Sequence, residues 1–203
     1  MRSTPLPSPR RARRTRALTI VIVAALAAMV PTYVVLTQHD AAQSTAAPPL
    51  DFATSPLGVD DGFIETGSWI SPFANDVPAI AKLDPALREA MQAAATAALA
   101  DGYDFVVTSG WRSERYQQAL FDEAVLEYGS VEEASRLVAT STTSAHVTGD
   151  AVDIGFTDAT SWLSQHGADY GLCQIYANEM WHFELATTPG GECPPQVPDA
   201  SYS

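Results

Sequence analysis

The order of elements along the chain predicts an α+β fold, a small antiparallel sheet with flanking helices, preceded by a single transmembrane helix. Two observations carry the architecture. Helix-forming patterns come first in the folded region and short apolar runs cluster after residue 150, which suits a sheet covered by segregated helices. Residues 17–36 are an uncharged stretch of 20 residues, long enough to cross a hydrocarbon layer of ~30 Å as a helix.

Charge divides the N-terminal region. Arg2, Arg10, Arg11, Arg13, Arg14 and Arg16 are six of the 11 Lys and Arg residues, and no acid precedes Asp40. A basic cluster before an apolar span stays on the cytoplasmic side. Residues 1–16 therefore read as a cytoplasmic basic segment, 17–36 as a single-pass anchor in the cell membrane, and the remainder as extracytoplasmic. Cleavage as a signal peptide and secretion is the alternative, with small residues at Ala41, Ala42, Ala46 and Ala47, although signal apolar regions usually run to about 7–15 residues. Pro31 is tolerated inside a membrane helix. Residues 37–57, rich in Ala, Ser, Thr and Pro, suit a flexible linker. Residues 58–193 form the expected external domain, and 194–203 an irregular tail.

From Asp40 onward 24 acidic residues face five basic ones, Lys82, Arg88, Arg112, Arg115 and Arg136. That balance argues against nucleic acid as a partner; it serves solubility and identifies no substrate. A chain of 203 residues with 46% hydrophobic content has material for one ordinary domain core. Cys173 and Cys193 fit a structural disulfide in an oxidising compartment, worth about 3 kcal/mol by loop entropy. Metal binding is their alternative role, but neither lies in a Cys-x-x-Cys pair.

Asp84 and Pro85 open a helix as N-cap and first residue, with Leu87, Met91, Ala94 and Ala98 on one face and Gly102 as its stop. Residues 105–108 read as a strand that delivers Ser109, Gly110, Trp111 and Arg112 to a corner, where Ser113 caps a helix to about Leu126. Ser130 and Glu133 form a capping box for a short helix toward Val138. Residues 151–156, 172–176 and 181–185 read as strands and 161–166 as helix.

The chemistry concentrates in two places. His146 and Asp153 stand seven residues apart with Gly149 between them, and a tight turn at that glycine could bring both side chains together from adjacent extended segments. They would supply two of the three protein ligands of a catalytic zinc. His182 offers the third, and Glu179, three residues earlier, is placed to take a proton from a metal-activated water. Each piece has an ordinary alternative: a packed histidine, a capping aspartate, a surface glutamate. Trp111, Trp162 and Trp181 read as core or rim aromatics. His39 falls in the linker and His166 near a helix end, away from this set.

Four motifs in order resemble the VanY-type D-alanyl-D-alanine carboxypeptidases, of the lysostaphin and hedgehog zinc fold. They are Ser109-Gly110-Trp111-Arg112-Ser113 with Gln117, the Ser-x-His-x-x-Gly-x-Ala-x-Asp segment from Ser144 to Asp153, Trp162-Leu163 with Tyr170-Gly171, and Glu-x-Trp-His from Glu179 to His182. The resemblance covers residues 83–185. It implies Zn2+ on His146, Asp153 and His182, Glu179 as general base and Arg112 as stabiliser of the developing oxyanion. Ser144 and Gln117 fall on cleft-lining positions. The implied substrate is a peptidoglycan stem peptide, cut to release its terminal D-alanine. An endopeptidase acting on the L-alanyl-D-glutamate bond or a cross-bridge would use the same site. A non-catalytic zinc-containing wall-binding module is the alternative of another class, against which Glu179 and Arg112 both stand. The short segment between Gly171 and Glu179 holds Cys173, so the cleft wall there should depart from the family pattern.

Overall fold

The computed structural model describes residues 56–202. The expected basic segment, the anchor and nearly all of the linker lie outside the described residues, among which no helix is long and apolar enough to cross a membrane.

A one-turn helix α1 (Pro78–Ala81) leads into α2 (Pro85–Ala100). The Asp84 carboxylate starts α2 by accepting from the backbone N–H groups of Ala86 and Leu87 at 2.8 and 3.2 Å. Strand β1 (Val106–Ser109) follows, then α3 (Glu114–Tyr128), opened by Ser113 Oγ accepting from Tyr116 N–H at 3.1 Å. Helix α4 (Val131–Ser135) has the expected Ser130 cap but stops short of Val138. A one-turn α5 (Ala145–Thr148), strand β2 (Ala151–Gly155), α6 (Thr157–His166), β3 (Leu172–Gln174) and β4 (His182–Leu185) complete the set.

The four strands form one antiparallel sheet in the order β1-β2-β4-β3. Alternation along each strand decides which side chains enter the core. Val107, Val152, Ile154, Leu172 and Phe183 join the buried α2 stripe of Leu87, Met91, Ala94 and Ala98, with Trp162 and Leu163 from α6. Met91 and Phe183 are fully buried, so truncating either to alanine costs about 2–5 kcal/mol. Asp153, between Val152 and Ile154, and His182, before Phe183, therefore point away from the apolar layer.

One expectation is corrected. His146 does not sit on an extended segment but on α5, because the chain winds one helical turn before Gly149 stops it at φ +85°. The same glycine packs against the loop before α2, where an added Cβ would lie 2.6 Å from the Lys82 carbonyl oxygen. Its own carbonyl accepts from Asp84 N–H at 2.9 Å.

Both ends of the domain are tied down. The Cys173–Cys193 disulfide closes the C-terminal part onto β3. Beyond it Val197 donates to the Ile175 carbonyl and accepts from Ala177 N–H, both at 2.9 Å, and Ala200 is buried. At the other end Ile70 exchanges two backbone hydrogen bonds with Val107 of β1, at 3.0 and 2.9 Å. Asp61 receives Arg115 Nε at 3.1 Å, Arg115 Nη2 at 2.5 Å and Ser113 Oγ at 2.8 Å. The Arg115 bond, helped by Ser113 and the Gly58 N–H, holds the Asp61 carboxyl down at about 2 against the opposing effect of burial. A depressed folded-state value stabilises above the ordinary 3.8 and is lost as pH falls through about 2. Urea unfolding of wild type and Asp61→Asn should accordingly give a lower midpoint for the variant at pH 7, with the two converging as the pH approaches 2; a constant difference across that range would contradict the assignment.

Candidate metal centre and active site

Three strands present one row of polar side chains. Asp153 on β2 pairs in register with His182 on β4 and with Ser109 on β1. Cross-strand neighbours hold their Cβ atoms about 4.5–5.5 Å apart, so sheet pairing alone brings a carboxylate and an imidazole together. The turn at Gly149 folds α5 back over β2 and adds His146. The metal-binding atoms of His146, Asp153 and His182 all lie within 4.8 Å of one another, and all three residues are buried.

Each imidazole is oriented from behind. His146 Nδ1 lies 2.8 Å from the Gly110 carbonyl, which only accepts, so Nδ1 carries the proton and Nε2 faces Asp153 Oδ1 at 3.4 Å. His182 Nε2 lies 2.9 Å from the Glu184 carboxylate and must donate to it, turning Nδ1 to Asp153 Oδ1 at 3.3 Å. Asp153 Oδ1 and His182 Nδ1 are both buried without a hydrogen-bond partner. Their 3.3 Å approach is thus Coulombic rather than hydrogen-bonded. Buried polar atoms without partners are rare and costly, and a divalent cation at the meeting point of these donors satisfies both. The residues present fit such an ion: two imidazole nitrogens and a carboxylate oxygen, each imidazole backed by an acceptor.

The charges around that point oppose and balance. Burial alone would raise the Asp153 carboxyl, but His146, His182 and Arg112 hold it well below the usual range. Burial and then the Arg112 charge keep His146 down, toward the neutral ring a metal needs, against the pull of Asp153. For His182 burial works against the charge, and the Asp153 and Glu184 carboxylates outweigh it, pushing the imidazole up to about 9. Loading His182 with metal therefore displaces a proton.

Arg112 stands at the strand-to-helix corner as expected. It donates Nη2 to Asp153 Oδ2 at 3.0 Å, Nη1 to Gln117 Oε1 at 3.0 Å and Nε to Ser109 Oγ at 2.7 Å. Three of its five N–H groups are occupied by these bonds, which fix the guanidinium beside the cleft. Gln117 is 1% exposed, and its amide nitrogen donates to the Ala139 carbonyl at 2.7 Å, so it braces Arg112 from beneath instead of lining the cleft. Ser144 does line the smaller of two cavities at the site, about 240 Å³, together with His146, Tyr176, Glu179, Trp181 and His182. Glu179 enters from the turn before β4, its carboxylate 3.9 Å from His182 Nδ1. Burial raises the Glu179 carboxyl, with His182 pulling it back. Trp162 is core, Trp181 is a rim residue, and His166 stacks on Trp162 away from the site.

Sequence reasoning missed Glu184, the Gly110 carbonyl and Tyr176, whose ring lies 4.9 Å from that of His182. Glu184 was within reach of it: residues two apart in a strand share a face, so an acid two positions after a ligand histidine falls beside it.

An antiparallel sheet presenting two imidazoles, a carboxylate ligand and a nearby partly buried glutamate defines a metallohydrolase-type site. The family model for VanY, D-alanyl-D-alanine carboxypeptidase, matches residues 80–188, and the chain belongs to that family. A curated D-alanyl-D-alanine carboxypeptidase of Enterococcus faecalis (strain ATCC 700802 / V583) is 33% identical over 43% of this chain and 42% of its own length. The chain thus spans less than half of that relative. Among solved structures, the vancomycin-resistance D,D-pentapeptidase VanY of a VanB-type cassette in complex with Zn(II) is 28% identical, covering 54% of this chain and 73% of its own at a TM-score of 0.48. VanYB in complex with D-alanine-D-alanine is 29% identical, covering 50% and 70% at a TM-score of 0.48.

Glu184 orients a ligand through the ligand's far nitrogen, a position where loss typically weakens metal affinity by about 10–100-fold. Competition between the protein and a chromophoric zinc chelator should show a loss of that size for Glu184→Ala and a smaller one for Glu184→Gln, whose amide oxygen still accepts. Unchanged affinity in both would remove Glu184 from the site.

Proposed function

We propose that the protein is a zinc-dependent D,D-carboxypeptidase that removes the terminal D-alanine from peptidoglycan stem peptides. The single observation that carries this reading is the convergence of His146, Asp153 and His182 on one point, with orphaned donor atoms aimed at it and the Glu179 carboxylate beside them. Family membership supports the substrate class. A bound zinc at these residues would supply Lewis acidity to the scissile carbonyl and acidify a water molecule.

The chain's own groups account for the rest. Glu179, whose carboxyl burial raises above the ordinary range, takes the proton of the attacking water and returns it to the departing D-alanine amine. Arg112 has two N–H groups beyond its three bonds, and its fixed charge stabilises the negative oxygen that develops on the carbonyl carbon. Gln117, Ser109 and Asp153 hold that guanidinium in place before substrate arrives, which spares reorganisation during the reaction. The cavity of about 240 Å³ lined by Ser144, Tyr176 and Trp181 suits a leaving group as small as alanine and supports an exopeptidase over an internal cut.

The same reading places the domain outside the cytoplasmic membrane on residues 17–36 as anchor. The basic cluster before that span and the Cys173–Cys193 disulfide, a bond that persists in oxidising compartments, support it.

The test is D-alanine release from a pentapeptide stem by the zinc-loaded protein and its Glu179→Ala variant, with metal content measured on both. The variant should keep its zinc while turnover falls by about 10²–10⁴-fold, the range for a positioned acid–base group. An internal cut, or full activity in the variant, would overturn the reading.

A further inference from the structure

A second, larger cavity of about 620 Å³ adjoins the small one, sharing Arg112, Asp153 and Trp181 with it, and is walled at its far end by the loop at residues 64–69. That loop lies outside the family-matched region of 80–188. It is anchored on both sides, by Asp61 to Arg115 and by Ile70 to Val107, so its position over the cleft is set by the fold.

Two large aromatic residues meet on this wall without being buried. Trp69 is 54% and Phe156 49% exposed, and their rings touch edge to face with centroids 5.4 Å apart. Phe156 is also the one non-glycine residue with positive φ among the described residues, at +64°. A bulky side chain there is a genuine outlier, and such strain persists only where surrounding bonds impose it. Here the Phe156 carbonyl accepts the first backbone bond of α6, from Thr160 N–H at 3.0 Å, and Thr160 Oγ lies 3.0 Å from it, so the residue is held where the chain turns from β2 into the helix. The core gains nothing from a ring held outward in this way.

Charge along the cleft is one-sided. Arg112, the sole cationic side chain lining it among the described residues, stands at the catalytic end and is already bonded to Asp153. The far end offers the Glu65 carboxylate, the hydroxyls of Thr66 and Ser68, and the rings of Trp69 and Phe156. Such a surface repels an anion and accepts an alkyl chain ending in an ammonium, since ring faces and a carboxylate both attract that charge.

We propose that this cleft is a specificity subsite for an alkylammonium side chain on the amino side of the scissile bond, read by Trp69, Phe156 and Glu65. The proposal rests on the carboxypeptidase reading above. In a stem peptide the group it would meet is the side chain of a diamino acid preceding the two D-alanines.

The experiment compares kcat/KM of the zinc-loaded full chain for two peptides ending in D-alanyl-D-alanine, identical except for lysine or norleucine before them. Wild type should favour the lysine peptide by about tenfold, the scale of an exposed cation–π contact and an exposed ion pair acting together. Glu65→Gln and Trp69→Ala should each bring the ratio toward one, chiefly by slowing cleavage of the lysine peptide. Phe156→Gly removes the ring and relieves the positive φ, so it should melt no lower than wild type and still lose the preference. Equal rates on the two peptides in wild type, a preference for norleucine, or a preference that survives all three substitutions overturns the subsite while leaving the carboxypeptidase reading standing. Release of D-alanine from neither peptide overturns both.

Discussion

Everything at the site depends on the antiparallel register that sets Asp153 opposite His182 and beside Ser109. Because side chains alternate across a strand, a slip of one residue would turn Asp153 and His182 into the apolar layer and bring Val152, Ile154 and Phe183 out of it. The α2 stripe and α6 fill the core face tightly enough to forbid that exchange. Packing on one side of the sheet thus enforces metal-ligand geometry on the other. The helices that never touch the site are what hold its donors in line.

The second constraint is electrostatic. A carboxylate as buried as Asp153 is costly unless every oxygen has a counterpart. Oδ2 has Arg112, and Oδ1 has the point shared with His146 and His182. Gly110, Glu184, Gln117 and Ser109 then hold the surrounding groups from behind, so that each functional atom is turned inward by a bond on its far side. Glu179 approaches the centre with its carboxylate 3.9 Å from His182 Nδ1, beyond hydrogen-bond reach, as suits a group that must gain and release a proton.

Much of this was legible in the sequence where a residue type has only one physical use. The Asp84-Pro85 and Ser113 caps, the Leu87–Met91 spacing and the disulfide appear where local rules place them. His146, Asp153 and His182 converge because their motif spacings encode a turn and two strands. What local rules do not carry is register and contact at long range. That His146 sits on a helical turn, that Gln117 braces Arg112 from beneath, and that the 64–69 loop walls the cleft all follow from tertiary packing. Strand ends were displaced for the same reason: β3 stops at Gln174 because Ile175 and Ala177 pair instead with Val197.

The proposed chemistry requires one divalent ion on His146, Asp153 and His182. X-ray absorption at the zinc edge of the loaded protein tests it most directly. The expected spectrum shows stoichiometric zinc with only nitrogen and oxygen donors at about 2.0–2.2 Å, in a four-coordinate shell that includes two imidazoles. A sulfur shell at about 2.3 Å, or no stoichiometric zinc at all, would contradict it.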